Sequence, residues 1–115
     1  MSEKTIFERI LAREIPANIV YEDDDVLAFR DINPQAPTHI LVIPKQKIKG
    51  VAELDKLPDA FLGTYMKKIA EVAKEAGLES GGYRVVFNQG KHGQQTVPYI
   101  HAHILGGRQM SWPPG

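Results

Sequence analysis

Cysteine is absent from the 115 residues of this chain. No disulfide framework can hold it together, and no thiolate is available as a metal ligand. Net charge is lacking too: 14 basic residues balance 14 acidic ones and the pI is near 6.9. Nothing therefore pulls it electrostatically toward nucleic acid or a membrane surface. The longest apolar run, Ile40 to Ile43, is far too short to span a bilayer, and Met-Ser-Glu-Lys-Thr at the start lacks the long apolar core of a secretory signal. The expectation is a cytoplasmic protein without nucleic-acid or membrane partners. No Gly-x-x-x-x-Gly-Lys-Ser/Thr loop occurs, which disfavours a mononucleotide kinase or ATPase, and no dinucleotide-binding fingerprint occurs either. No acidic cluster accompanies the histidines, so neither metal nor cofactor is expected to take part in the chemistry.

What is present is ordinary for a soluble domain: 43% hydrophobic and 24% charged residues, enough for one core over residues 1–115. Thr5-Ile6-Phe7-Glu8 matches a capping box, and Ile6, Phe7, Ile10 and Leu11 then follow helical spacing up to a stop before Pro16. Ile19 to Glu22 and Val26 to Arg30 read as strands joined by a turn at Asp23-Asp24-Asp25. Two prolines make Asn33 to Pro37 a loop, and Thr38 to Ile43 forms a third strand. Lys45 to Lys49 reads as a solvated loop. Pro58 through Ala76 is the long helix, with Phe61, Leu62, Tyr65, Ile69, Val72, Ala73 and Ala76 on one stripe and a left-handed cap at Gly77. Tyr83 to Asn88 is a fourth strand, Gln89 to Val97 a Gly- and Gln-rich loop, and Pro98 opens the last strand. The order predicts an α+β domain with a five-stranded, mostly antiparallel sheet and two helices. An exposed sheet edge on so small a chain invites pairing with a second copy.

Two of the four histidines lie in Tyr99-Ile100-His101-Ala102-His103-Ile104-Leu105. Alternation in a strand puts Tyr99, His101, His103 and Leu105 on one face, with the apolar row packed inward. Three readings compete. The pair is a functionless feature of an exposed face; or it supplies two ligands to zinc, with His39 as a third; or one imidazole acts as nucleophile or acid–base beside a supporting neighbour. His92 reads as a solvated loop residue.

The whole chain resembles the histidine triad (HIT) proteins of the Hint branch. The resemblance is carried by Thr5-Ile6-Phe7, Arg13-Glu14-Ile15-Pro16-Ala17, Leu27-Ala28-Phe29-Arg30-Asp31 and Pro34-Gln35-Ala36-Pro37-Thr38-His39. It continues through Leu41-Val42-Ile43-Pro44-Lys45, His101-Ala102-His103-Ile104-Leu105-Gly106-Gly107 and the Arg108-to-Gly115 tail. It implies a homodimer whose two five-stranded sheets join into one, binding AMP- or GMP-like purine nucleotides and hydrolysing nucleoside 5′-phosphoramidates through a nucleotidyl-histidine intermediate. By position, His101 falls on the nucleophile, His103 on the third triad histidine and His39 on a supporting histidine. Thr96 falls on a hydroxyl that helps the departing nitrogen. Asn88, Gln95, Thr96 and Val97 match the phosphate-contacting segment, Asp31 the ribose ligand, and Phe7, Ile10, Phe29, Ile32 and Leu41 the purine pocket. Trp112 matches a tail residue reaching the partner subunit's site.

The chain departs from that pattern at Tyr99, which replaces the first triad histidine with a phenol that carries no positive charge near neutral pH. The alternative function is accordingly a nucleotide-binding scaffold with weak or no turnover. Arg30 is expected to add charge at the purine-pocket rim, and Gln94, in place of a glycine, to tighten the phosphate loop.

Overall fold

The computed structural model describes residues 4–115. Helix α1 (Ile6–Leu11) is followed by strands β1 (Ile19–Glu22), β2 (Val26–Arg30) and β3 (Thr38–Pro44). A 3-10 turn over Val51–Lys56 leads into α2 (Asp59–Glu75), and then come β4 (Tyr83–Val86) and β5 (Ala102–Gly106). The strands form one sheet in the order β1-β2-β3-β5-β4, with every neighbouring pair antiparallel. The expected α+β class and strand count are those observed.

Strand alternation divides the sheet into two faces. Val26, Ala28, Ile40, Val42, Ala102 and Ile104 pack against Tyr65, Ile69, Val72 and Ala73 of α2. Leu27, Phe29, Leu41 and Ile43 point the other way and meet Phe7 and Ile10 of α1 together with Tyr99. Each such fully buried side chain is worth about 1.5–3 kcal/mol of transfer free energy, so both faces contribute to the fold. α1 forms because the Thr5 hydroxyl accepts from the Glu8 amide and the Glu8 carboxylate accepts from the Thr5 amide, satisfying two otherwise orphaned donors. α2 ends where Gly77 turns left-handed at φ 79° and the Leu78 amide reaches back to the Ala73 carbonyl at 3.1 Å.

Three expectations need correction. The last strand begins at Ala102, not at Pro98: proline has no N–H, and the Ile100 amide donates to Ile48 O at 2.6 Å rather than to a neighbouring strand. His101 thus immediately precedes β5. β4 ends at Val86, opposite His103, because the partner strand starts one residue before that histidine. The Lys45 to Lys49 stretch is not simply solvated, since Ile48 is buried in the α2-side core and Lys45 and Lys47 pair with Glu22 and Glu8. Val51–Lys56 is helical, which its composition did not announce. Where the chain turns out of β5, a Cβ on Gly106 would lie 2.7 Å from a methyl of Leu78, so a side chain there would have to displace that leucine.

Candidate active site

The α1-side face of the sheet carries the histidines. Cross-strand register lines up Phe29, Leu41, His103 and Val86, and the next row pairs His39 with Leu105. The His101 and His103 ring centroids are 4.9 Å apart, and Phe7 packs its edge on His101 at another 4.9 Å and 75°.

Hydrogen bonds fix which nitrogen of each ring holds the proton. His101 Nδ1 lies 2.8 Å from the Tyr99 carbonyl, which can only accept, so Nδ1 carries the hydrogen and Nε2 keeps its lone pair. The Gln35 amide donates to His39 Nδ1 at 3.0 Å, so His39 is protonated at Nε2. That nitrogen is 2.9 Å from His103 Nδ1 and 3.5 Å from Asp31 Oδ2. The shorter contact takes the proton, and His103 then keeps its own hydrogen on Nε2. One imidazole offers a lone pair and its neighbour an N–H.

All three rings are held neutral. Burial lowers the His101 pKa, against smaller upward pulls from the Tyr99 carbonyl and Asp31. Burial lowers that of His39 against Asp31. His103 is depressed to about 4, by burial first and then by the adjacent His101 and His39. A neutral imidazole is what attack by nitrogen requires.

The histidines open onto a cleft of about 660 Å³ lined by Phe7, Ile10, Phe29, Arg30, Asp31, Ile32, Leu41, Thr96, Val97, His101 and His103, and also by Ile6, Ile15, Pro16 and Ala17. That size suits a small organic ligand. Ile32, 95% exposed, forms an uncovered rim. Ile15, Pro16 and Ala17 were missed as lining residues; an apolar turn directly after an amphipathic helix was the available signal.

Other expected site residues lie elsewhere. Asn88 turns its amide onto Gly93 O at 2.6 Å, and Gln95 bonds to Lys49, Val97 and Gly90; neither lines the cleft. Trp112 is 80% exposed and stands 5.8 Å from the Arg84 guanidinium carbon, outside the cleft of its own chain. Tyr99 is fully buried, its hydroxyl donating to Pro44 O, and belongs to the core rather than to a ligand-facing row. Arg30, by contrast, lines the cleft beside Asp31 as expected, and also borders a small hollow with Val72 and Glu75. His92 is exposed.

Asp31, His39 and His103 bring ligand atoms within 4.8 Å of one another. This set could hold a cation only by giving up the His39–His103 hydrogen bond, and it differs from the trio of histidines weighed from sequence.

The HIT domain family matches residues 12–110. The chain belongs to the HIT family. It is 49% identical over 113 residues to "Adenylylsulfatase HINT1" of Arabidopsis thaliana, covering 96% of this chain and 76% of that protein. It is 57% identical over 113 residues to a "14 kDa zinc-binding protein" of Zea mays, covering 96% and 88%. The structure of a HIT family hydrolase from Legionella pneumophila superposes with a TM-score of 0.92 at 46% identity, covering 97% of this chain and all of that one. This HIT protein is accordingly of the Hint-like branch and of the nucleotide-hydrolase kind.

Proposed function

We propose that this HIT protein hydrolyses purine nucleoside 5′-phosphoramidates, with His101 as nucleophile. The single observation that carries this reading is the opposed protonation of the two neighbouring imidazoles, a lone pair on His101 Nε2 beside an N–H on His103 Nε2. In the first step His101 Nε2 attacks the α-phosphorus, a phosphorus–nitrogen bond forms to the ring, and the bond to the amine breaks. The amine leaves with a proton passed on by the hydroxyl of Thr96, a residue that lines the cleft, and the water of the second step returns a proton to that oxygen. The His103 N–H meets the negative charge that builds on a non-bridging oxygen. In the second step water attacks the same phosphorus, the bond to His101 breaks, and the nucleoside monophosphate is released.

The apolar wall of Phe7, Ile10, Phe29, Ile32 and Leu41 suits a purine base, and Asp31, whose Oδ1 accepts from the Asn33 amide, keeps a second oxygen toward the ribose hydroxyls. Trp112, free of its own cleft, suits a partner's site in a homodimer. The Arabidopsis relative's name speaks of an adenylyl sulfate, in which the same nucleotide carries a different leaving group. Incubation with adenosine 5′-phosphoramidate, guanosine 5′-phosphoramidate and adenylyl sulfate separates these substrates. The expected outcome is nucleoside monophosphate release from the phosphoramidates, reduced at least about a thousandfold in His101→Ala, as nucleophile loss does elsewhere. Wild-type protein that binds AMP but turns over none of the three would establish the scaffold alternative instead.

A further inference from the structure

Gln95 reads by position as a phosphate contact, yet both N–H donors of its carboxamide are already taken by backbone carbonyls, leaving none for a phosphate oxygen. Oε1 accepts from the Gly90 amide at 3.0 Å, and Nε2 donates to Lys49 O at 2.6 Å and to Val97 O at 3.1 Å. The side chain ties both ends of the loop that carries Thr96 to each other and to a distant segment. That segment, Ile48 to Ala52, is docked on the same stretch of chain twice more: the Ala52 amide donates to Gln89 Oε1 at 2.9 Å, and Ile48 O accepts from the Ile100 amide at 2.6 Å. Gly50 lies buried at the centre of the contact. A Cβ there would stand 2.5 Å from Gln89 Oε1 and 3.3 Å from both carboxamide atoms of Gln95.

We infer that Gly50, Gln89 and Gln95 form a lock that holds Thr96, Val97 and the approach to His101 in place, and that Gln95 is a positioning residue, not a ligand of the phosphate. The lock grips the residues beside the reacting phosphorus and leaves the base-binding wall alone, since Phe7, Ile10 and Phe29 are fixed by α1 and β2. Loosening it therefore costs rate more than affinity, because displacement by about 1 Å at a reacting centre costs up to about 100-fold. The kinetic half of this inference rests on the phosphoramidate reading; the lock itself does not.

The test uses Gln95→Met, close in length and unable to make the three bonds, and Gly50→Val, which touches no substrate and displaces both glutamines. Amide hydrogen exchange without ligand reads the lock. Exchange at Ala52, Tyr99 and Ile100, whose amides donate to Gln89 Oε1, Val97 O and Ile48 O, should quicken about tenfold or more in either variant, as expected when a local opening is eased. In steady-state turnover, kcat should fall about tenfold with KM within about threefold, and the double variant should be no worse than the poorer single one, as for residues acting as one unit. Unchanged exchange overturns the lock. A raised KM for Gln95→Met with undiminished kcat, or losses that multiply in the double variant, assigns Gln95 to the phosphate and overturns the positioning role. If the wild type releases no nucleotide, the phosphoramidate reading falls while the exchange measurement still decides the lock.

Discussion

Tyr99 is where the triad pattern is broken, and the structure gives that residue work in the core. Its ring fills the α1-side core against Phe7 at a centroid distance of 6.0 Å, its hydroxyl holds Pro44 O, and burial pushes its pKa up to about 12. Only its backbone carbonyl serves the site, by fixing the His101 tautomer. Tyr99→Phe should accordingly lose about 1–2 kcal/mol of stability through the unpaired buried carbonyl, while turnover stays within about threefold. Urea unfolding and steady-state kinetics on the same variant check both halves. The sequence pattern correctly assigned His101 and His103 to one face, because their spacing is local. Spacing said nothing of Gln95 and Asn88, which the resemblance offered as phosphate contacts and neither of which lines the cleft: what Gln95 bonds to depends on distant backbone arriving beside it, and Lys49 is 46 positions away.

Among the elements, α1 is the shortest helix and the one most fully written in its own residues. A reciprocal cap and two apolar positions specify it without reference to the rest of the fold, which is why its start was legible, although it ends at Leu11, well short of Pro16. The long helix was equally readable from its stripe. The start of the last strand was not: Pro98 and the Ile48–Ile100 bond decide it, and the second of these is a tertiary contact. Because α1 delivers Phe7 and Ile10 to the cleft, its cap is tied to ligand binding. Thr5→Ala should destabilise the protein by about 1 kcal/mol. It should also raise KM severalfold and lower kcat, because Phe7 of the same helix steadies the His101 ring, measurable by thermal unfolding alongside substrate titration.

At the scale of the whole molecule, balanced charge conceals an uneven response to acid. Three imidazoles are packed with folded pKa values below the ordinary 6.5, that of His103 near 4. Above pH 6.5 each is neutral folded or unfolded and contributes nothing to pH dependence. Below it the unfolded chain takes up protons that the folded one refuses, so stability falls as pH drops. Between pH 6.5 and 5 the partly buried His103 alone should remove about 1–2 kcal/mol, and His103→Gln should flatten that part of a urea-midpoint profile. Activity should outlast the usual histidine range for the same reason, persisting below pH 6.5 because His101 stays neutral there. The two-sided sheet also has a consequence for how precisely the reaction is directed. Phe7 belongs both to the packed cluster on the α1 side and to the edge contact that steadies the His101 ring. The orientation of the attacking nitrogen is thus set by the same contacts that keep water out of that half of the molecule, and whatever lets solvent in beneath the first helix also spoils the nucleophile's aim.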